Sequence, residues 1–346
     1  MYRKIMSFLE AWKDSEHRKP LILQGARQVG KTYSILEFGR TCYENVAYFN
    51  FETNPKLNET FEENISPDYL IPILSHIAGQ TIVKEKTLIV FDEVQLCERA
   101  LTSLKYFCED APDYHIIVAG SLLGVAVNRA KFSFPVGKVD MKTLYPMDME
   151  EFMVACGESA LVEQIKKCFA EDKPLPSALH DAAMQLYRQY LIVGGMPECV
   201  MQFVETKDYI LVRHTQDTIL ASYLNDMSKY NNLNEIKKTR LAYDNITVQL
   251  SKKNTRFQYK LIKKGGRASE FENAIEWLCL SGIVSQVYKV EQVKKPLQNY
   301  RNIDAFKIYV SDLGLLCAKK DLAANDVLYM VEELNDFKGG MAENYV

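Results

Sequence analysis

The chain of 346 residues has no Cys-x-x-Cys pair and no histidine cluster; its eight cysteines are scattered from Cys42 to Cys317, and histidine occurs five times. This excludes the usual zinc frameworks and, in a chain without a secretory start, implies reduced thiols and a cytoplasmic setting. An excess of charge is missing as well. The 42 Lys and Arg face 45 Asp and Glu, so the molecule is no general polycation, and binding to nucleic acid would need a local patch. Long hydrophobic runs are absent: the longest charge-free apolar run, Ile116 to Val127, is too short to cross a bilayer, and the basic start lacks the apolar run of a signal peptide. No membrane role is expected. What remains is a chain of ordinary globular composition, long enough for two or three cores.

The sequence is organised around residues 21–32. Leu21 to Leu23 form a short apolar strand, Gly25 to Thr32 follow the spacing G-x-x-x-x-G-K-[ST], and Ser34 to Phe38 suit a helix. Gly25 and Gly30 allow a tight turn that aims successive N–H groups, here those of Ala26, Arg27, Gln28, Val29 and Gly30, at one anion, which also meets the positive end of the helix. Lys31 is expected to reach the β- and γ-phosphates and Thr32 to ligate Mg2+.

A second landmark is Thr87 to Phe91 followed by Asp92 and Glu93. A continuous apolar run suits a strand buried on both faces of a parallel sheet, and it delivers two carboxylates at the strand's carboxyl end. Asp92 is expected to hold Mg2+, mostly through water, and Glu93 to deprotonate the attacking water. His115 to Gly120 reads as another buried strand ending at Ser121, either a sensor of the γ-phosphate or a plain turn residue. With an amphipathic helix over 3–14 set beside the nucleotide, a strand over 45–51, an irregular connection over 52–67 and helices at 70–77 and 101–107, the alternation predicts a three-layer α/β domain with a parallel sheet.

These residues resemble the AAA+ P-loop ATPases of a bacterial and archaeal group that carries Gly-x-Arg-Gln-Val-Gly-Lys-Thr (here Gly25 to Thr32) and Phe-Asp-Glu-Val-Gln (Phe91 to Gln95). The group's sensor strand is matched by Ala119 to Leu123 and its Phe-Pro-Val-Gly-basic segment by Phe134 to Lys138. The group usually has arginine at the last position; as an arginine finger toward a neighbouring subunit, Lys138 would be a poorer planar donor. The second half resembles the domain of unknown function 4143 that follows this ATPase, through Tyr190 to Glu198, Tyr223 to Met227, Trp277, Leu278, Gly282 and Phe306 to Leu316. The resemblance implies sites completed across a homo-oligomer. It also implies a further restriction-endonuclease-like domain beyond the helix that begins before Val346.

Three segments are expected: an ATPase domain at 1–147, a helical lid-like region at 148–230, and a winged-helix-containing region at 231–346. Arg188 and Arg213 lie on the helices as candidate phosphate sensors, each with the plain alternative of a surface charge. Gly194 and Gly195 are either a tight turn or a hinge, and Asp312 reads as a helix cap. From 255 onward, two helices, a Gly265-Gly266 turn and two strands fit a winged helix-turn-helix. Residues 251–307 hold twelve Lys and Arg against five acids, which makes duplex DNA a candidate partner, although Glu270, Glu272 and Glu276 on the second helix favour a structural or protein-docking role. The function expected is Mg2+-dependent ATP hydrolysis coupled to movement of the winged-helix region. The alternative is a nucleotide-gated binding switch with negligible turnover. No Asn-Lys-x-Asp guanine-reading segment is present, which favours adenine.

Overall fold

The structure is a computed structural model, and it describes residues 1–120, 134–229, 232–252, 256–330 and 332–346. It divides into two compact units, one spanning Arg3–Tyr145 and the other Pro146–Val346 together with the first two residues.

The first unit is built on a parallel sheet of five strands, β1 (Leu21–Gln24), β2 (Asn45–Asn50), β3 (Thr87–Asp92), β4 (His115–Ala119) and β5 (Asp140–Thr143), in the spatial order β2-β3-β4-β1-β5. β3 and β4 are buried along their whole lengths, as their unbroken apolar sequences require. Helices α1 (Ile5–Lys13), α2 (Lys31–Cys42), α3 (Lys56–Glu63), α4 (Pro67–Ala78) and α5 (Glu98–Asp110) accompany them. Because β1 lies between β4 and β5, the chain order breaks beside it, and that break is where sheets of this type bind ligands. On one face Phe49, Phe51, Phe61 and Phe91 pack with ring centroids 5.5 to 6.0 Å apart, locking β2 onto β3.

In this unit two elements depart from the sequence reading. Residues 56–63 form a helix inside the supposed connection, because Leu57 and Phe61, four residues apart, both bury in that aromatic cluster. β5 has the polar sequence Asp-Met-Lys-Thr and is held by backbone pairing with β1, Leu21 opposite Asp140 and Gln24 opposite Thr143. An exposed edge strand needs no apolar signature.

The second unit starts with α6 (Met149–Ala155), α7 (Ser159–Ala170), α8 (Ser177–Val193), α9 (Pro197–Thr206), α10 (Tyr209–Lys229) and α11 (Leu233–Leu250). It continues through a 3-10 turn at Tyr259–Leu261, α12 (Ala268–Leu280), the antiparallel pair β6 (Val284–Val290) and β7 (Arg301–Val310), then α13 (Leu313–Lys319), α14 (Ala324–Leu328) and α15 (Asn335–Tyr345). Asp148 caps α6 in a reciprocal box with Glu151. The Gly194-Gly195 pair forms the turn between α8 and α9. A Cβ on Gly195 would lie 1.9 Å from the Met147 carbonyl oxygen, so only glycine fits. Asp312 caps α13, accepting from Leu315 N at 2.8 Å, and also accepts from Gly195 N at 2.6 Å. One buried carboxylate thereby ties together two segments 117 residues apart. All eight cysteines are free thiols, and among the described residues no helix is long and apolar enough to cross a membrane.

His115 opens β4 in a buried setting, its Nδ1 2.7 Å from the Tyr43 hydroxyl. Burial, reinforced by Arg18 and Lys13, pulls its pKa down to about 4. The unfolded chain therefore takes up this proton first as pH falls, and the stability tied to neutral His115 is complete above about pH 6.5 and lost toward pH 4. Urea unfolding at pH 7 and pH 5 is expected to show the amino-terminal unit losing about 1 kcal/mol more in the wild type than in His115→Gln.

Candidate functional site

The site grows from the end of β1. Gly25 has φ +149°, and a Cβ there would come within 2.2 Å of the Leu144 carbonyl oxygen, so the loop can lie against the strand beside β1 only as glycine. Gly30, at φ +90°, begins α2, whose first N–H groups have no acceptor within the helix. Between them Ala26 and Val29 are buried, while Gln28 stands at the exposed tip with φ +65°. Arg3, itself buried, donates to Val29 O at 2.9 Å and Tyr145 O at 2.7 Å, clamping the loop to the segment after β5. Sequence reasoning placed α1 beside the site but missed this arginine.

Lys31 turns back across the loop and donates to Gly25 O at 2.9 Å and Ala26 O at 2.8 Å. Burial pushes its pKa down to about 8, a shift opposed by Glu93 and Asp92 and aided by Arg27. The loop thus holds a desolvated ammonium against carbonyl oxygens, a weak substitute for phosphate.

Thr32 Oγ1 donates to Asp92 Oδ2 at 2.8 Å. The same oxygen accepts from the Tyr48 hydroxyl at 2.7 Å, while Oδ1 accepts from Glu93 N at 2.9 Å. Tyr48 remains protonated, since burial above all, with the neighbouring carboxylate, pushes its phenol up to about 12. Glu93 turns off the strand in the left-handed region, φ +51°, a conformation that a non-glycine residue adopts at a cost of about 1 kcal/mol. Its carboxylate is held by the Gln95 side-chain amide. Thr32 and Asp92 offer a pair of hard oxygens in contact, the donor set that suits Mg2+ beside phosphate and water. Tyr48 and Gln95 had no role in the sequence reading: a tyrosine in a strand reads as packing, and Gln95 entered only as part of a motif.

Within this unit Lys138 is not brought to the loop. Lys138 lies just before β5, at the end of the sheet away from the loop, and pairs with Glu109 at 2.9 Å. Arg213 donates to Asp321 Oδ1 at 3.3 Å and to the Leu322 carbonyl, so it ties down the turn after α13. Each thus has a carboxylate partner within its own unit. Arg188 is exposed on α8. Ser121 lies outside the described residues.

The fold and the paired motifs define a P-loop nucleotide-binding domain. Residues 17–153 match the family model of an AAA domain. Residues 184–326 match a different model, a domain of unknown function (DUF8612), which replaces the expected domain 4143. No curated protein matches. Among solved structures, the chain is similar to a Walker-type ATPase of Pyrococcus abyssi, with 13% identity, a TM-score of 0.55, and coverage of 92% of this chain and 95% of that one. This likeness is one of fold. The ORC2 protein of Aeropyrum pernix, in ADPNP and ADP complexes, aligns with 13% identity and a TM-score of 0.43 over 99% of this chain and 95% of that one. RuvB of Thermotoga maritima aligns with 15% identity and a TM-score of 0.37 over 82% and 87%.

A buried cation without its anion is costly, so the nucleotide-free domain gains from losing it. Lys31→Met is expected to raise the melting temperature without nucleotide by about 2–4 °C, for about 1 kcal/mol, and to abolish the further rise on adding ATP. Differential scanning fluorimetry reads both effects.

Proposed function

We propose that the chain is a Mg2+-dependent ATPase whose site is Gly25 to Thr32 with Asp92 and Glu93. The observation that carries this reading is the contact of Thr32 Oγ1 with Asp92 Oδ2, beside a lysine whose ammonium is buried under the loop. The N–H groups from Ala26 to Gly30 and the Lys31 ammonium bind the phosphates, and Thr32 and Asp92 hold Mg2+. The metal, when bound, supplies neutralisation of the phosphate charge. Glu93 takes a proton from water as its oxygen bonds to the γ-phosphorus, and the bond to the ADP oxygen breaks with its electron pair leaving on ADP. Ser121, next after Gly120 at the end of β4, is assigned a γ-phosphate contact from sequence alone. A cation completing the charge neutralisation would come from a neighbouring copy.

Glu93→Gln separates this reading from a switch that binds without turnover. Steady-state phosphate release is expected to fall at least 100-fold while ATP affinity stays within about threefold. A variant that hydrolyses like the wild type contradicts the assignment of Glu93.

The target we infer for the second unit is duplex DNA, which hydrolysis would engage or release. The expected first helix at 258–264 is only a 3-10 turn at Tyr259–Leu261, and with α11 before it, α12 and the β6-β7 hairpin follow in the order of a winged helix. Arg256, Lys260 and Arg267 line one open groove with Tyr259 and Asp304, and among the described residues none of the three cations has a carboxylate partner. The solvent face of α12 instead presents Glu272 and Glu276, which repel phosphate. Contact would therefore run through the groove and hairpin and follow the backbone without reading bases. Replacing all three cations by Gln is expected to make the log–log salt dependence of duplex affinity shallower by about 2–3, as fluorescence anisotropy would show. An unchanged slope excludes the groove.

A further inference from the structure

We propose that Tyr48 is a positioning residue that holds Asp92 in the orientation needed to bind Mg2+. The proposal rests on the reading of Thr32 and Asp92 as the metal-binding pair. Tyr48 lies on β2 opposite Val90, and Asn50 lies opposite Asp92, so both side chains share the face of β3 that carries the carboxylate. The other face is fixed by the Phe49–Phe91 and Phe51–Phe91 contacts, which leaves Tyr48 little freedom to shift.

Two features separate this tyrosine from packing. It stands on the edge strand of the sheet and is 37% exposed, so its ring fills no core, and its hydroxyl is spent on a carboxylate where backbone or water would have satisfied it. It is also one link in a chain of hydrogen bonds. The Asn50 amide donates to the Tyr48 oxygen at 3.2 Å, while Asn50 Oδ1 accepts from Glu52 N at 2.8 Å and Thr53 N at 3.0 Å. A phenol that accepts in this way becomes a better donor to Asp92.

The result is a carboxylate with O–H groups of Tyr48 and Thr32 on one oxygen and its own following N–H on the other. It cannot rotate without breaking these bonds. The competing attraction is Lys31, whose charge Asp92 already stabilises. Without the Tyr48 hydroxyl, Asp92 gains freedom to lean toward that ammonium, and the acceptor for metal-bound water is no longer preset.

The test is the Mg2+ requirement of nucleotide binding, read as fluorescence of a labelled ADP while Mg2+ is titrated, and needing no turnover. For Tyr48→Phe the half-saturating Mg2+ concentration is expected to rise about three- to tenfold, the effect of one hydrogen bond to a charged group, with affinity in EDTA unchanged within about twofold. Asn50→Leu, which removes only the donor to Tyr48 and the turn contacts, is expected to fall between Tyr48→Phe and wild type, and serves if Tyr48→Phe fails to fold. An unchanged or lower Mg2+ requirement in these variants, in a wild type that does depend on Mg2+, overturns the role of Tyr48 alone. A wild type indifferent to Mg2+ overturns the metal site itself.

Discussion

The hydrogen bond between Thr32 and Asp92 is the constraint on which the amino-terminal unit depends, because it joins residues sixty positions apart across the sheet. For it to form, β1 must end in a loop that reverses into α2, and β3 must end level with that loop. The apolar run of β3 buries the strand on both faces, the aromatic cluster fixes β2 beside it, and the two glycines let the loop lie against its neighbours. Arg3 then clamps the loop through the Val29 carbonyl, and Tyr48 bonds Asp92 from the neighbouring strand. The site is thus preorganised by strands, which hold geometry more tightly than loops do.

A comparable economy governs the second unit. Asp312 takes N–H groups from the Gly195 turn and from the first turn of α13, and burial raises its pKa to about 6. Such a carboxylate is tolerated only because several donors converge on it. The two segments that stand out in the sequence, Tyr190 to Glu198 and Phe306 to Leu316, are therefore halves of one structural joint, and their composition answers to packing.

Much of the first unit was legible in the sequence because its requirements are local. A glycine is needed wherever backbone meets backbone, and an unbroken apolar run ending in acids marks a buried strand at a binding edge. Where the structure depends on partners remote in sequence, the reading failed. β5 is polar because only pairing holds it, α3 hides in a stretch rich in Asn and Glu, and the partners of Lys138 and Arg213, Glu109 and Asp321, are invisible without the fold. Tyr48 was hidden for a similar reason: alternation along β2 says which face it takes, but not that a carboxylate awaits it on the next strand. The basic segment was counted correctly, yet only the structure separates the cations of the groove from the acidic face of α12.

The most direct test of the account is a single-turnover experiment with full-length protein in excess over radiolabelled ATP and Mg2+, followed by quenching and separation of the nucleotides. The account requires that bound ATP be converted to ADP and phosphate in wild type and recovered intact from Lys31→Ala. Intact ATP recovered from wild-type protein that has bound it, after hours and at concentrations that allow self-association, would contradict it.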